Sequence, residues 1–180
     1  MKTHRSAYLF CSSFLLGMVL CIASDLAGAD RKAAGACDLF SDQTVRQLMA
    51  LPDTVTLERK ALMLGATEHC SFRWPATVQA TLSHEGQTLS LALTNTITIN
   101  LTHPVQQSSE ELLAARVEAQ GDAVPVTEHA GSGAAPRYWS PQYQQLSTLR
   151  EGQLLQIHVD RYDDRRNRFY ALGLLQHLEP

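Results

Sequence analysis

Seven histidines, four cysteines and one dense run of aspartates and arginines are the side chains with chemistry to offer in this 180-residue chain. His69, His84, His103, His129, His158 and His177 are scattered. No two stand at the i, i+4 spacing with which a helix presents paired zinc ligands, and no Cys-x-x-Cys occurs. Gly131-Ser132-Gly133 is neither a Gly-x-Ser-x-Gly nucleophile elbow nor a phosphate loop, which would need a lysine and a following helix. It reads as a flexible linker. Asp160, Asp163 and Asp164 mingle with Arg161, Arg165, Arg166 and Arg168. Acids at the positive end of a helix dipole make this a solvated helix start; a salt-linked docking patch is the sharper alternative. These patterns predict no catalytic residue, no cofactor and no metal.

The cysteines speak to compartment. Lys2, His4 and Arg5 form a basic start, Tyr8 to Ile22 is an apolar run of 15 residues, and Ala27-Gly28-Ala29 supplies small residues before a cut at Asp30. That is the three-part pattern of a cleavable export signal over residues 1–29. The run is short for a bilayer span, which needs about 20 residues. Retention as an N-terminal anchor is one alternative; lipidation at Cys21 is another, although Leu20 stands where lipoprotein processing takes Gly or Ala. Once residues 1–29 are removed, only Cys37 and Cys70 remain, and two thiols in an exported domain of this size suggest one structural disulfide. Loss of Lys2, Arg5 and Asp25 moves the formal net charge from −3 to −4. A mildly acidic chain without a basic stripe argues against nucleic acid and against an anionic membrane surface as partners. It also predicts no stable membrane insertion after cleavage.

Residues 30–36 are small and polar, read as a flexible N-terminus, and lead into a single domain over 37–180. A first helix covers Asp38 to Ala50, capped by Ser41 or Asp42, with Val45, Leu48 and Met49 on its apolar face. Alternation then predicts strands. Val55 and Leu57 alternate, then Cys70, Phe72 and Trp74, and Val78, Ala80 and Leu82. After a turn at His84-Glu85-Gly86-Gln87, Leu89, Leu91, Leu93, Ile97, Ile99 and Leu101 share one parity, the pattern of strands with one face buried. Ser108 and Glu111 form a capping box for a second helix ending at Gly121. A short strand is expected around Pro125, and others over Tyr138 to Ser140, Tyr143 to Leu149 and Leu154 to Tyr162, with Glu151-Gly152 as a hairpin turn. A closing helix from about Asp164 to Leu178, capped by Asp163 or Asp164, would turn Phe169, Leu172, Leu175 and Leu178 inward.

At an offset of 66 residues, PATVQATLSHEGQTLSLALT (75–94) matches PQYQQLSTLREGQLLQIHVD (141–160) at six positions in twenty, with the apolar parity kept. The expectation is α+β: an antiparallel sheet covered by helices. Its two duplicated units of a helix and three strands, about 37–102 and 103–162, would face each other across a groove. Similar turn chemistry in two unrelated hairpins is the alternative. Trp74, Tyr138, Trp139 and Tyr143 gather near the repeated prolines. Adjacent Tyr138 and Trp139 must face opposite ways, so these two and Tyr143 form the candidate binding surface.

Cys37-Asp38-Leu39-Phe40-Ser41 followed by Cys70-Ser71-Phe72 resembles a set of exported bacterial domains that begin Cys-x-Leu-Leu-Thr, run into a helix and later carry Cys-Ser-Tyr. The set includes small mycobacterial lipoproteins and, more distantly, the extracellular sensor domain of mycobacterial serine/threonine kinases. The resemblance implies a Cys37–Cys70 disulfide, an α+β fold and an extracytoplasmic location. The chain departs from the set in lacking a good lipobox, a second disulfide and any kinase segment. Together these features point to a periplasmic or secreted, non-enzymatic binding or accessory protein of the bacterial cell envelope that contacts an envelope protein or a small ligand. An inhibitor or immunity protein against an envelope toxin or hydrolase is one alternative. A periplasmic hydrolase whose groups converge only in the fold is another.

Overall fold

The computed structural model describes residues 35–85, 87–128, 134–164 and 166–179. The segment read as an export signal, its expected cut site, His129, Gly131-Ser132-Gly133, Gly86 and Arg165 lie outside the described residues. In chain order the elements are α1 (Asp42–Met49), β1 (Glu58–Leu64), β2 (Thr67–His84), β3 (Gln87–Thr102), α2 (Ser109–Gln120), β4 (Val124–Pro125), β5 (Arg137–Ser140), β6 (Gln145–Arg150), β7 (Gln153–Asp160) and α3 (Asn167–His177). The fold is α+β, with one seven-stranded antiparallel sheet in the order β1-β2-β3-β7-β6-β5-β4.

Alternation explains the core. Register aligns Cys70, Ile99, Ile157, Leu146 and Trp139 in one row across five strands, and Phe72, Ile97 and Val159 in the next. All eight are buried on the face that also packs Phe40, Val45 and Met49 of the α1 region and Tyr170, Ala171, Leu174 and Leu175 of α3. The other face is polar where α2 meets it. The Arg116 guanidinium donates to Gln156 Oε1 at 3.2 Å and Gln120 Nε2 donates to Gln145 Oε1 at 2.7 Å. Helices therefore lie on both faces of the sheet.

A disulfide joins Cys37 to Cys70, with Cα atoms 5.0 Å apart. The bridge spans a sequence separation of 33, which corresponds to about 3–4 kcal/mol of chain entropy removed from the unfolded state. Beside it Ala36, expected in a flexible tail, is buried, and its N–H donates to Glu68 Oε2 at 3.0 Å. Ser41 caps α1, and Ser108 and Glu111 close the capping box of α2.

Four expectations are corrected. Helix α3 starts at Asn167 and has no side-chain cap, because Asp163 and Asp164 are engaged elsewhere. Of the residues expected inward, Leu175 is buried and Leu172 and Leu178 pack against the core, but Phe169 is 64% exposed beneath the Arg166 guanidinium, and Tyr170, Ala171 and Leu174 complete the buried face. The stretch 78–93 alternates like a core strand yet runs past the helices that cover the core, leaving Leu82 and Leu89 each 57% exposed. The two sequence halves are joined edge to edge by β3–β7 hydrogen bonding into one continuous sheet, rather than facing each other across a groove.

The offset of 66 is visible at the turns: Glu85 and Glu151 both adopt left-handed backbone, at φ 49° and 50°. It is not visible in pairing. Strand β2 passes the irregularity between Pro75 and Gln79 and continues. The matching stretch reverses direction between Ser140 and Gln145, so the second half makes four strands rather than three.

Candidate functional site

Helix α2 supplies one wall of a cavity. Glu110, Leu113, Ala114, Val117 and Glu118 stand at helical spacing on one face of it. Facing them are Ala135 and Pro136 leading into β5, Tyr138 of β5, Leu149 of β6, and the β6–β7 turn at Glu151 and Gly152; the volume of this open groove is about 760 Å³. That lies within the usual range for small-molecule sites.

Both ends of α2 are tied to the sheet, which sets the width of this groove. At its N-terminus Ser109 Oγ donates to the Gly152 carbonyl at 2.5 Å. Glu151 and Gly152 have φ of 50° and 75°, the pair of left-handed residues that a two-residue hairpin turn needs. Beyond its C-terminus Asp122 accepts from the Ser140 hydroxyl and from the Gln142 N–H at 2.6 Å. The Ser140 hydrogen bond, foremost, holds the Asp122 carboxyl below the usual carboxylate range.

The floor is apolar and the charged lining residues are acidic. Glu110, Glu118 and Glu151 carry negative charge, and no lysine or arginine lines the cavity among the described residues. Glu151 lies 3.6 Å from Arg150, itself outside the lining. The lining therefore combines apolar surface with negative charge spread along it.

The predicted binding aromatics separate. Tyr138 is half-buried and lines the groove. Trp139 is only 4% exposed, because strand alternation turns it to the opposite, core face; it is a packing residue, not part of a surface. Tyr143 is 48% exposed on the β5–β6 connection and is not a lining residue. The sequence reading missed Leu149 and the outer face of α2. The 110, 113/114, 117/118 spacing was the available signal, but the same spacing on any helix marks ordinary packing.

Among the described residues, His69, His103 and His158 have separate partners. His103 is held between Glu68, at 3.0 Å from Nε2, and Gln153, at 2.9 Å from Nδ1, so both ring nitrogens are already engaged. His69 Nδ1 meets Asn100 Oδ1 at 2.8 Å, and His158 Nδ1 meets the Tyr143 carbonyl at 2.7 Å. Among the described residues no group of three His, Cys, Asp or Glu side chains is placed to hold a metal ion.

The aspartate–arginine run divides: Arg166 with Asp164 and Arg168 with Glu128 are solvated ion pairs at the start of α3, whereas Arg161 and Asp163 turn inward. Arg161 is buried, with its guanidinium 4.5 Å from the Tyr170 ring centroid and 5.9 Å from that of Trp74. Asp163 accepts from Asn95 Nδ2 at 3.2 Å and from the Thr77 hydroxyl at 3.4 Å. The cluster thus ties the start of α3 to β2 and β3 just where they leave the core.

Among the described residues, no helix is long and apolar enough to cross a membrane. Comparison with family models, with curated proteins and with solved structures finds no match to this chain.

Proposed function

We propose that this is an exported, non-enzymatic binding or accessory protein of the bacterial cell envelope, periplasmic or secreted, and that its binding site is the groove between α2 and the β5 and β6–β7 segments. The observation that carries this reading is the groove's composition: Leu113, Ala114, Val117, Pro136, Tyr138 and Leu149 along it, with three glutamates and no basic residue. Its occupant is an apolar ligand or side chain bearing a positive charge, since a cation meets the glutamates and a hydrocarbon stem meets the floor. The Cys37–Cys70 disulfide supports an oxidising compartment, as does the export signal read from residues 1–29. The resemblance to exported mycobacterial domains is part of the same proposal.

Calorimetry below the micellar range tests it, with decyltrimethylammonium and decyl sulfate as probes. The cationic probe binds at least tenfold more tightly. Val117→Arg abolishes its binding, and the double substitution Glu110→Gln with Glu118→Gln removes the charge preference while keeping apolar binding. Equal affinity for the two probes, or binding untouched by Val117→Arg, overturns the assignment.

A further inference from the structure

Strands β2 and β3 extend well past their neighbours. β1 pairs with β2 only over Thr67–Arg73, and β7 pairs with β3 only over Thr96–Thr102. From Gln79 to His84 and from Gln87 to Ala92 the two strands, among the described residues, pair only with each other. The result is a two-stranded ribbon about 26 Å long over residues 87–94 at 3.3 Å per residue. Its two faces differ. Ala80 pairs with Leu91 and Leu82 with Leu89, and Leu93 continues the same parity, so these five make an apolar stripe. Gln79, Thr81, Ser83, Thr88 and Ser90 make the other face. The stripe extends the core face of the sheet beyond its helical cover: Leu82, Leu89 and Leu91 are 57%, 57% and 39% exposed, and Val78 beside them is 40% exposed.

A lone two-stranded ribbon is marginal in water, and one with an uncovered leucine stripe and two unpaired edges invites association. Charge narrows the occupant. No Asp, Glu, Lys or Arg occurs over Pro75–Ser83 or Gln87–Thr102. The stripe offers nothing to an ionic partner, nor the basic residues that draw a protein to anionic lipid. What complements it is an equally uncharged apolar stripe, and a second copy presents one under two-fold symmetry. The whole chain carries a formal net charge of −3, so close approach of two bodies is opposed. A ribbon about 26 Å long holds them apart by some three Debye lengths at physiological ionic strength.

We infer that two copies of this chain associate through the stripe of Ala80, Leu82, Leu89, Leu91 and Leu93, packed ribbon against ribbon. About 26 Å by about 10 Å of ribbon face is well below the roughly 800 Å² per partner of a stable complex. The dimer is accordingly weak and concentration-dependent.

Sedimentation velocity on the full chain, expressed with its own N-terminus, tests this from low micromolar to near-millimolar concentration. The expected result is a monomer–dimer equilibrium. Leu82→Thr with Leu89→Thr raises its dissociation constant at least tenfold, with the thermal midpoint unchanged because both positions are exposed. Ser90→Lys, on the opposite face, leaves it unchanged. Should the double variant fold poorly by circular dichroism, Leu91→Lys serves as the second disruption. A monomer at every concentration, or a dimer indifferent to the stripe substitutions, overturns the inference. So does a monomer that binds phosphatidylglycerol vesicles through the same leucines, which would assign the stripe to a lipid surface.

Discussion

The guanidinium of Arg161 lies 4.5 Å from the centre of the Tyr170 ring, which joins the end of β7 to the first turn of α3. Trp74 packs against the same cation at 5.9 Å, and Arg161 Nε lies 3.5 Å from Asp163 Oδ1. Side chains from β2, the β7–α3 connection and α3 therefore converge on one buried charge.

Removing that charge leaves the Asp163 carboxylate, whose side chain is 15% exposed, without its cation. Arg161→Met is expected to cost about 3 kcal/mol, in the range for breaking a buried pair by deleting one partner. The double change Arg161→Met with Asp163→Asn should recover part of it. Urea denaturation curves decide the matter. A loss below about 0.5 kcal/mol, the scale of an ordinary surface substitution, would show that the cluster contributes no stability.

Helix α3 provides a second test, since Phe169, which its sequence pattern turns inward, lies outward while Leu172, Leu175 and Leu178 meet the core. Leu174 is fully buried whereas Phe169 is 64% exposed. Leu174→Ala is expected to destabilise by about 2–5 kcal/mol as a large-to-small core change. Phe169→Ser should stay within about 0.5 kcal/mol of the parent. The reverse ranking in thermal or urea melts would mean that the helix is rotated about its axis.

Asp164 links stability to acid. The Arg166 guanidinium, foremost, and then the Tyr170 hydroxyl hold its carboxyl well below the usual range. A depressed native value stabilises the fold above the unfolded-state value of about 3.9. That contribution fades as pH falls below it toward the native value. Asp164→Asn should therefore be less stable than the parent at pH 6, and the gap should close as melts are repeated from pH 4 downward. A gap that is constant over that range would assign the loss to shape rather than to charge.

Several features were legible in the sequence because they are local. A capping box needs only Ser108 and Glu111 at the right spacing, and both cap α2 as expected. The Glu151-Gly152 turn follows from flanking alternation, and the strands it joins pair as read. The Cys37–Cys70 bridge follows from two thiols and from the resemblance around them. The groove was not legible. Tyr138 and Leu149 meet the outer face of α2 only because Ser109 bonds to Gly152 and Asp122 to Ser140. None of those partners is marked by spacing along the chain.

The sharpest contrast is between two stretches with the same pattern. Leu89, Leu91 and Leu93 alternate as regularly as Leu155, Ile157 and Val159, which they match at the offset of 66. The second set is fully buried, while Leu89 and Leu91 are exposed and Leu93 only partly covered. Period two determines that one face of a strand is apolar, because successive side chains point to opposite sides. Whether anything lies over that face depends on where α1 and α3 pack and on where β1 and β7 stop pairing. Those are long-range contacts, and only the tertiary structure decides them.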